Sequence, residues 1–303
     1  MYIALDEDSA QYWYYMRTYY SMQSKEQFLQ YFFPDNIDAK IDTTNFQYVV
    51  HGPQLPDTDL QKDKIHIMLC VENCPKHPHY LHYNKHGNYG NSQISLYFYN
   101  HIDRIEESSS YIAIPVIYSQ MNYFRNKYNF IQPAQYVPFE DKKFCILLTG
   151  NGYRQAEKNK ITSFVSSFGH CDTLAVHRPS IQNVSCYHSV ELLNVIQQYK
   201  FAIVCENSLM DGYVTEKIFN CFFARCIPIY NGSNKIESYF NGESFLNMND
   251  TENLSTYADA IRTLSTNKAE FQKKIEAEKI HSGYSDEHYD MRLKTFLQRF
   301  EKN

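Results

Sequence analysis

One stretch limits the folds open to this chain more than any other. It is Lys200–Gly232, KFAIVCENSLMDGYVTEKIFNCFFARCIPIYNG. Phe201–Cys205 is a short, unbroken apolar run, as expected of a strand covered on both faces of a parallel sheet. Glu206-Asn207-Ser208 then leaves the sheet at the strand's carboxyl end, and Asp211-Gly212 marks a turn. Thr215 is placed to cap a helix running to about Ala224, with Ile218, Phe222 and Phe223 at helical spacing. Ile227–Tyr230 reads as the next strand, closed by Asn231-Gly232. A strand–helix–strand unit of this kind predicts an α/β protein.

In an open parallel sheet, ligands sit outside the carboxyl ends of the strands, near helix N-termini. Glu206, Asn207, Tyr213, Glu216 and Lys217 all fall in that zone. A helix N-terminus favours phosphate, and Lys217 in the first turn adds a full positive charge. Glu216 is suited to accept hydrogen bonds from two vicinal ribose hydroxyls, and Tyr213 to lie against a base. The set fits a nucleoside diphosphate. Read without a family, it also fits an ordinary strand–helix junction carrying a solvated Glu–Lys pair.

The motif itself narrows the choice. Glu206-Asn207-Ser208, Tyr213-Val214-Thr215-Glu216-Lys217 and Ile227-Pro228-Ile229 resemble the donor-binding signature of the α1,3/α1,4-fucosyltransferases, glycosyltransferase family 10. That resemblance implies two Rossmann-like domains facing across a cleft, the GT-B type, with the signature in the C-terminal domain. It implies an inverting transfer of L-fucose from GDP-fucose to a hydroxyl of an acceptor glycan, commonly α1,3 to the GlcNAc of a lactosamine-type sugar. It places Lys217 on the departing diphosphate, Glu216 on the ribose, Tyr213 near the guanosine, and Asn207 by the fucose or bracing its loop. Glu206 and Thr215 belong to the same donor-binding set.

An inverting displacement also needs a base for the incoming hydroxyl. Ile65–Val71 reads as a strand, and Glu72-Asn73 follows at its end. Glu72 matches the family's proposed general base, although Val71 stands where a small residue is common. A second cation for the diphosphate is harder to place. The family has an Arg on the helix after the strand Lys143–Asn151; here a gapped match sets Lys158 on it, an ungapped one sets Glu157, and Arg154 stands nearby. A Lys keeps the charge but lacks the guanidinium's bidentate fork.

The two domains are expected at 1–140, carrying the base and the acceptor, and 141–303, carrying the donor. Further strands are expected at Met1–Leu5, Phe46–Gly52, Ile94–Tyr99 and Tyr111–Val116, and helices at Asp6–Tyr20, Ser189–Tyr199, Thr256–Lys279 and Asp286–Phe300. Asp6-Glu7-Asp8 and Asp57-Thr58-Asp59 match only a loose metal-binding pattern, and His77, His79, His82 and His86 lack the spacing of a structural zinc site. No metal is required, because cationic side chains and a helix dipole can carry the charge; none is excluded either, and Mn²⁺ or Mg²⁺ can enter as a stimulant.

A net charge of −5 argues against nucleic-acid binding. The N-terminus MYIALDEDSAQYWYYMRTYY has neither the basic start nor the apolar core of a signal peptide, and no run reaches membrane-spanning length. A cytoplasmic protein of the soluble bacterial or viral type is therefore expected, with a Golgi location only for a chain cut from a longer one. The eight cysteines are expected as free, mostly buried thiols. The rivals to a fucosyltransferase are a GT-B enzyme using another nucleotide sugar, and a catalytically silent nucleotide-sugar or glycan-binding protein.

Overall fold

The computed structural model describes residues 2–5, 40–41, 48–51, 65–68, 95–98, 111–114, 117–118, 120–121, 136–149, 154–175, 190–209 and 212–298. The chain divides into two compact units. The first combines 1–125 with 285–303, and the second spans 126–284. The sequence reading had drawn its line at 140 and had kept both C-terminal helices with the second domain.

The first unit contains a parallel sheet of order β2-β1-β3-β4, with β1 Tyr2–Leu5, β2 Lys40–Ile41, β3 Tyr48–His51 and β4 Ile65–Met68. A second parallel pair joins β5 Ser95–Phe98 to β6 Tyr111–Ile114. Each strand expected in this unit contains one of these, and the rest of each expected range lies outside the described residues. The expected helix Asp6–Tyr20, both Asp triplets, the His-rich segment and Glu72 lie outside the described residues. The last helix of the chain, Glu287–Gln298, belongs to this unit; there Tyr118 donates to Asp290 Oδ1 at 2.5 Å.

The second unit is built on a five-stranded, all-parallel sheet of order β11-β10-β9-β7-β8. Its strands are β7 Lys143–Thr149, β8 Cys171–Ala175, β9 Tyr199–Cys205, β10 Ile227–Asn231 and β11 Leu246–Asn247. Its helices are α1 Gln155–Ser166, α2 Val190–Ile196, α3 Glu216–Phe223, α4 Ile236–Tyr239, α5 Ala258–Thr266 and α6 Lys268–Glu276, and the helix Glu287–Gln298 becomes α7.

Alternation along the strands divides the core into two layers. Phe201, Ile203 and Cys205 of β9 point into a cluster with Cys145 and Leu147 of β7 and Ile227 and Ile229 of β10. Ile161 and Val165 of α1, Ile261 and Leu264 of α5, and Phe271 and Ile275 of α6 cover it. Ala202 and Val204 therefore face the opposite side, where α2 and α3 pack on β9. All four residues Phe201–Val204 are wholly buried, which is why this strand reads as an apolar run rather than an alternating one.

Two expectations need correction. Thr256–Lys279 is not one helix. It breaks at Asn267, whose side chain accepts from the Ala269 and Glu270 amides and so starts α6 afresh. Thr215 stands at the N-cap of α3, but its side chain makes no capping bond. Pro228 has no N–H to give to a ladder, yet it lies in β10 between two neighbours. The register explains this: β11 pairs only with Ile229 and Tyr230, so among the described residues no strand pairs with the outer flank of β10 at Ile227-Pro228. Cys145, Cys171, Cys205, Cys221 and Cys226 are free thiols.

Ile203 is 0 % exposed at the centre of this core. Ile203→Ala is expected to lower unfolding free energy by about 2–5 kcal/mol through lost burial and a residual cavity, read as a lower urea midpoint with little change in slope.

Candidate functional site

The sheet order places the site before any side chain is considered. From β7 the chain moves to one side, to β8; it then crosses back and goes on from β9 to β10 and β11 on the other side. The crevice between the carboxyl ends of β7 and β9 is thus the topological switch point, where open α/β sheets bind ligands. The segments that leave these two strands lead to α1 and α3, and the signature residues lie on the second of them.

Glu206 is the first residue past β9 and is 0 % exposed. Its Oε1 accepts from the Thr215 amide at 2.8 Å. Its Oε2 accepts from the Thr215 hydroxyl at 2.8 Å and from Lys217 Nζ at 2.9 Å. Lys217 Nζ also donates to Thr215 Oγ1 at 2.8 Å, closing a triangle of ammonium, hydroxyl and carboxylate. The hydroxyl that sequence reasoning had assigned to capping is used here instead. Thr215 is therefore extended, with φ −108° and ψ −172°, and α3 starts at Glu216.

Glu216 is 5 % exposed, with Oε1 3.9 Å from Lys217 Nζ. Burial raises its pKa; Lys217 opposes the shift and Glu206 adds to it. Lys217 retains 18 % side-chain exposure, the most of this buried group. Tyr213 is 2 % exposed, packed inside the unit rather than displayed. Asn207 is half-buried, and Gly212, just before Tyr213, turns the chain in a left-handed conformation, φ 77°.

The other half of the site comes from α1. Arg154 precedes the helix in a left-handed conformation, φ 51° and ψ 43°, unusual for a side chain of this size. Its guanidinium donates to the Glu206 carbonyl at 3.2 Å and to Asn231 Oδ1, tying the ends of β9 and β10 to the start of α1. Among the described residues its Nε has no hydrogen-bond partner, and Glu157 Oε1 lies 3.6 Å from it. Lys158, one turn into α1, is only 2 % exposed. Burial lowers its pKa; Cys205 opposes this, and repulsion from Lys217 and Arg154 adds to it. Arg154, Lys158 and Lys217 therefore share one neighbourhood with the two buried carboxylates. An anion entering there meets a field already positive in part, the more so where Glu216 holds its proton.

Sequence reasoning missed the asparagines that finish the construction. Asn231 is 1 % exposed; besides accepting from Arg154, it donates to the Met248 carbonyl at 2.8 Å. Asn249 Oδ1 accepts from the Gly232 amide at 2.7 Å and its Nδ2 donates to the Ser233 carbonyl at 3.0 Å. The sequence reading used Asn231 only as the end of a strand and did not single out Asn249. The informative signal was position: Asn231 ends the strand beside β9, in register with Cys205. Glu72 lies outside the described residues. Among those described, no group of three or more His, Cys, Asp or Glu could hold a metal ion, and no helix is long and apolar enough to cross a membrane.

A parallel α/β domain with buried cations and carboxylates at its switch point has them where open sheets of this class bind their ligands. Residues 153–288 match the model of the glycosyltransferase family 10 (fucosyltransferase) C-terminal domain. The chain is 39 % identical over 89 residues to an alpha-(1,3)-fucosyltransferase, FucT, of Helicobacter pylori, covering 29 % of this chain and 19 % of that one. It is 32 % identical over 107 residues to alpha-(1,3)-fucosyltransferase B of Drosophila melanogaster, covering 34 % of this chain and 24 % of that one. The matched region is thus a quarter or less of each of these relatives' length. The fold is similar to a crystal structure of an alpha1,3-fucosyltransferase with GDP-fucose, at TM-score 0.61 and 17 % identity, covering 98 % of this chain and 90 % of that one.

The buried Glu216 gives a pH prediction. A carboxylate whose native pKa lies above its ordinary 4.5 leaves the native state holding more protons than the unfolded chain. Its stabilising contribution is complete below that value and is lost as pH rises through the raised native pKa. Glu216→Gln cannot ionise, so its melting temperature should gain on the wild type as pH rises from 4.5 toward neutrality. Parallel pH–melting curves would contradict this.

Proposed function

We propose that this chain is an inverting, GDP-fucose-dependent fucosyltransferase, moving L-fucose to a hydroxyl of an acceptor oligosaccharide or glycoconjugate. The observation that carries this reading is the cluster of Lys217, Thr215, Glu206 and Glu216, next to Arg154 and Lys158, at the switch point of the second unit. It is supported by the match of residues 153–288 to the fucosyltransferase family model and by the fold likeness reported above.

The donor's diphosphate lies over the start of α3, where Lys217 and the positive end of the helix dipole face developing negative charge. Lys158 or Arg154 reinforces that charge from α1. Glu216 takes the ribose hydroxyls, Tyr213 borders the guanosine and Asn207 the fucose. Tyr213 is buried in this structure, so its approach to a base requires its side chain to turn outward. Glu72 in the first domain removes the proton of the acceptor hydroxyl, across a cleft of the GT-B kind. As that oxygen bonds to the anomeric carbon, the carbon–oxygen bond to phosphate breaks and GDP leaves with the electron pair. Cationic side chains suffice for that charge, without a metal. The acceptor we favour is a lactosamine-type sugar fucosylated α1,3 on GlcNAc.

The test is GDP release from purified protein mixed with GDP-fucose and N-acetyllactosamine, run with and without Mn²⁺ and beside other nucleotide sugars. Release that depends on the acceptor and on GDP-fucose is expected. Binding without release points to a silent protein or a different acceptor, and release with another donor only points to a different transferase. Lys217→Met removes a charge-assisted contact of about 1.5–3 kcal/mol, so GDP affinity should fall roughly 10- to 150-fold. Glu72→Gln should cut turnover about 10²- to 10⁴-fold while GDP affinity stays near the wild-type value; unchanged turnover would remove Glu72 from the mechanism.

A further inference from the structure

Glu206 was expected to contact the donor. Its geometry suits a different task. The carboxylate is fully buried, and three donors approach it from within the chain: the Thr215 amide, the Thr215 hydroxyl and the Lys217 ammonium. All three belong to the segment that opens α3. The backbone carbonyl of the same residue accepts from Arg154, and its amide donates to the Asn231 carbonyl at 2.9 Å. Glu206 is thus held by β10 and the start of α1, and in turn holds the start of α3.

We infer that Glu206 is a positioning residue: its buried carboxylate, with the Thr215 hydroxyl, fixes the Lys217 ammonium where the diphosphate of the donor binds. The inference rests on the nucleotide reading above and adds a role for a residue that does not itself touch the ligand.

Several features favour this over a merely structural ion pair. Lysine has a long, flexible stem with a compact charge and does not orient itself. Here the ammonium is constrained from two sides, 2.9 Å from the carboxylate and 2.8 Å from the hydroxyl, while the side chain keeps 18 % exposure. The hydroxyl works as a relay, accepting from the ammonium and donating to the carboxylate. Space for Glu206 is kept by Gly232, where an added Cβ would fall 2.6 Å from Glu206 Cγ and would also meet the Tyr230 hydroxyl. A lysine held this way need not be immobilised when the diphosphate arrives, which lowers the entropic cost of binding. The competing view is that Glu206 is a trap, neutralising Lys217 until the ligand displaces it. The two views predict opposite signs for removal of the charge.

The experiment is a double-mutant cycle on GDP affinity, measured calorimetrically with Glu206→Gln, Lys217→Met and the double variant. In Glu206→Gln the side-chain amide presents N–H groups toward the ammonium or the Thr215 amide, whichever way it is turned, so one inward contact becomes repulsive. We expect it to weaken GDP binding by roughly tenfold or more where Lys217 is present, and by less than about twofold where Lys217 is Met. Equal losses in both backgrounds would make Glu206 structural, and tighter binding by Glu206→Gln would make it a trap; either overturns the proposal. Should Glu206→Gln fail to fold, Thr215→Val removes the relay hydroxyl at nearly constant shape and gives the same cycle with the same criteria. If the wild type takes up no GDP, the nucleotide reading fails and this role falls with it; wild-type binding with an additive cycle defeats the positioning role alone.

Discussion

Taking a carboxylate out of water costs several kcal/mol, and the surroundings must recover that by pairing and hydrogen bonding. Glu206 is the point in the second unit where this requirement is most severe, and the local architecture answers it. The Thr215 backbone stays extended so that amide and hydroxyl both reach one carboxylate. The helix α3 starts one residue after that contact. Gly232 has no side chain where the glutamate's methylene passes. Arg154 adopts a left-handed conformation and spans to the Glu206 carbonyl and Asn231. Each of these is locally unfavourable or costs conformational freedom, and each becomes intelligible once the buried acid is taken as given.

The parallel sheet supplies the frame for this. Strands β7, β9 and β10 bring their carboxyl ends side by side, in a register that sets Asn231 opposite Cys205, the last residue before Glu206. Helix starts, asparagine amides and cations then gather at one end of the sheet because successive segments emerge there. A deep, two-layered core beneath, with Phe201 to Val204 wholly buried, lets that end carry buried charge. Function at the rim and stability at the centre thus draw on different parts of the same strands.

Much of this was legible in the sequence, for identifiable reasons. Strands buried on both faces announce themselves as apolar runs, so β7, β9 and β10 were placed with small errors at their ends. The edge strand β8, Cys171–Ala175, carries Asp172 and Thr173 and gave no such signal. The helix break at Asn267 was hidden by apolar spacing that continues through it, with Ile261, Leu264, Phe271 and Ile275 all in one core. The signature residues were found, but partners could not be: nothing in linear spacing says that Thr215 bonds Glu206 rather than its own helix. Asn231 and Asn249 were passed over because their role is set by contacts between Arg154, Met248, Gly232 and Ser233, which are scattered along the chain.

The proline in β10 bears on where the sheet can stop. Among the described residues the outer flank of that strand pairs with β11 along only two residues, yet all five residues of β10 are buried. A stretch of ladder that ends inside a domain must leave few polar groups unmatched there. Pro228 has no amide hydrogen to leave without a partner. A residue that reads as part of a family signature thus also lets the sheet stop beneath the surface with one buried donor fewer to satisfy.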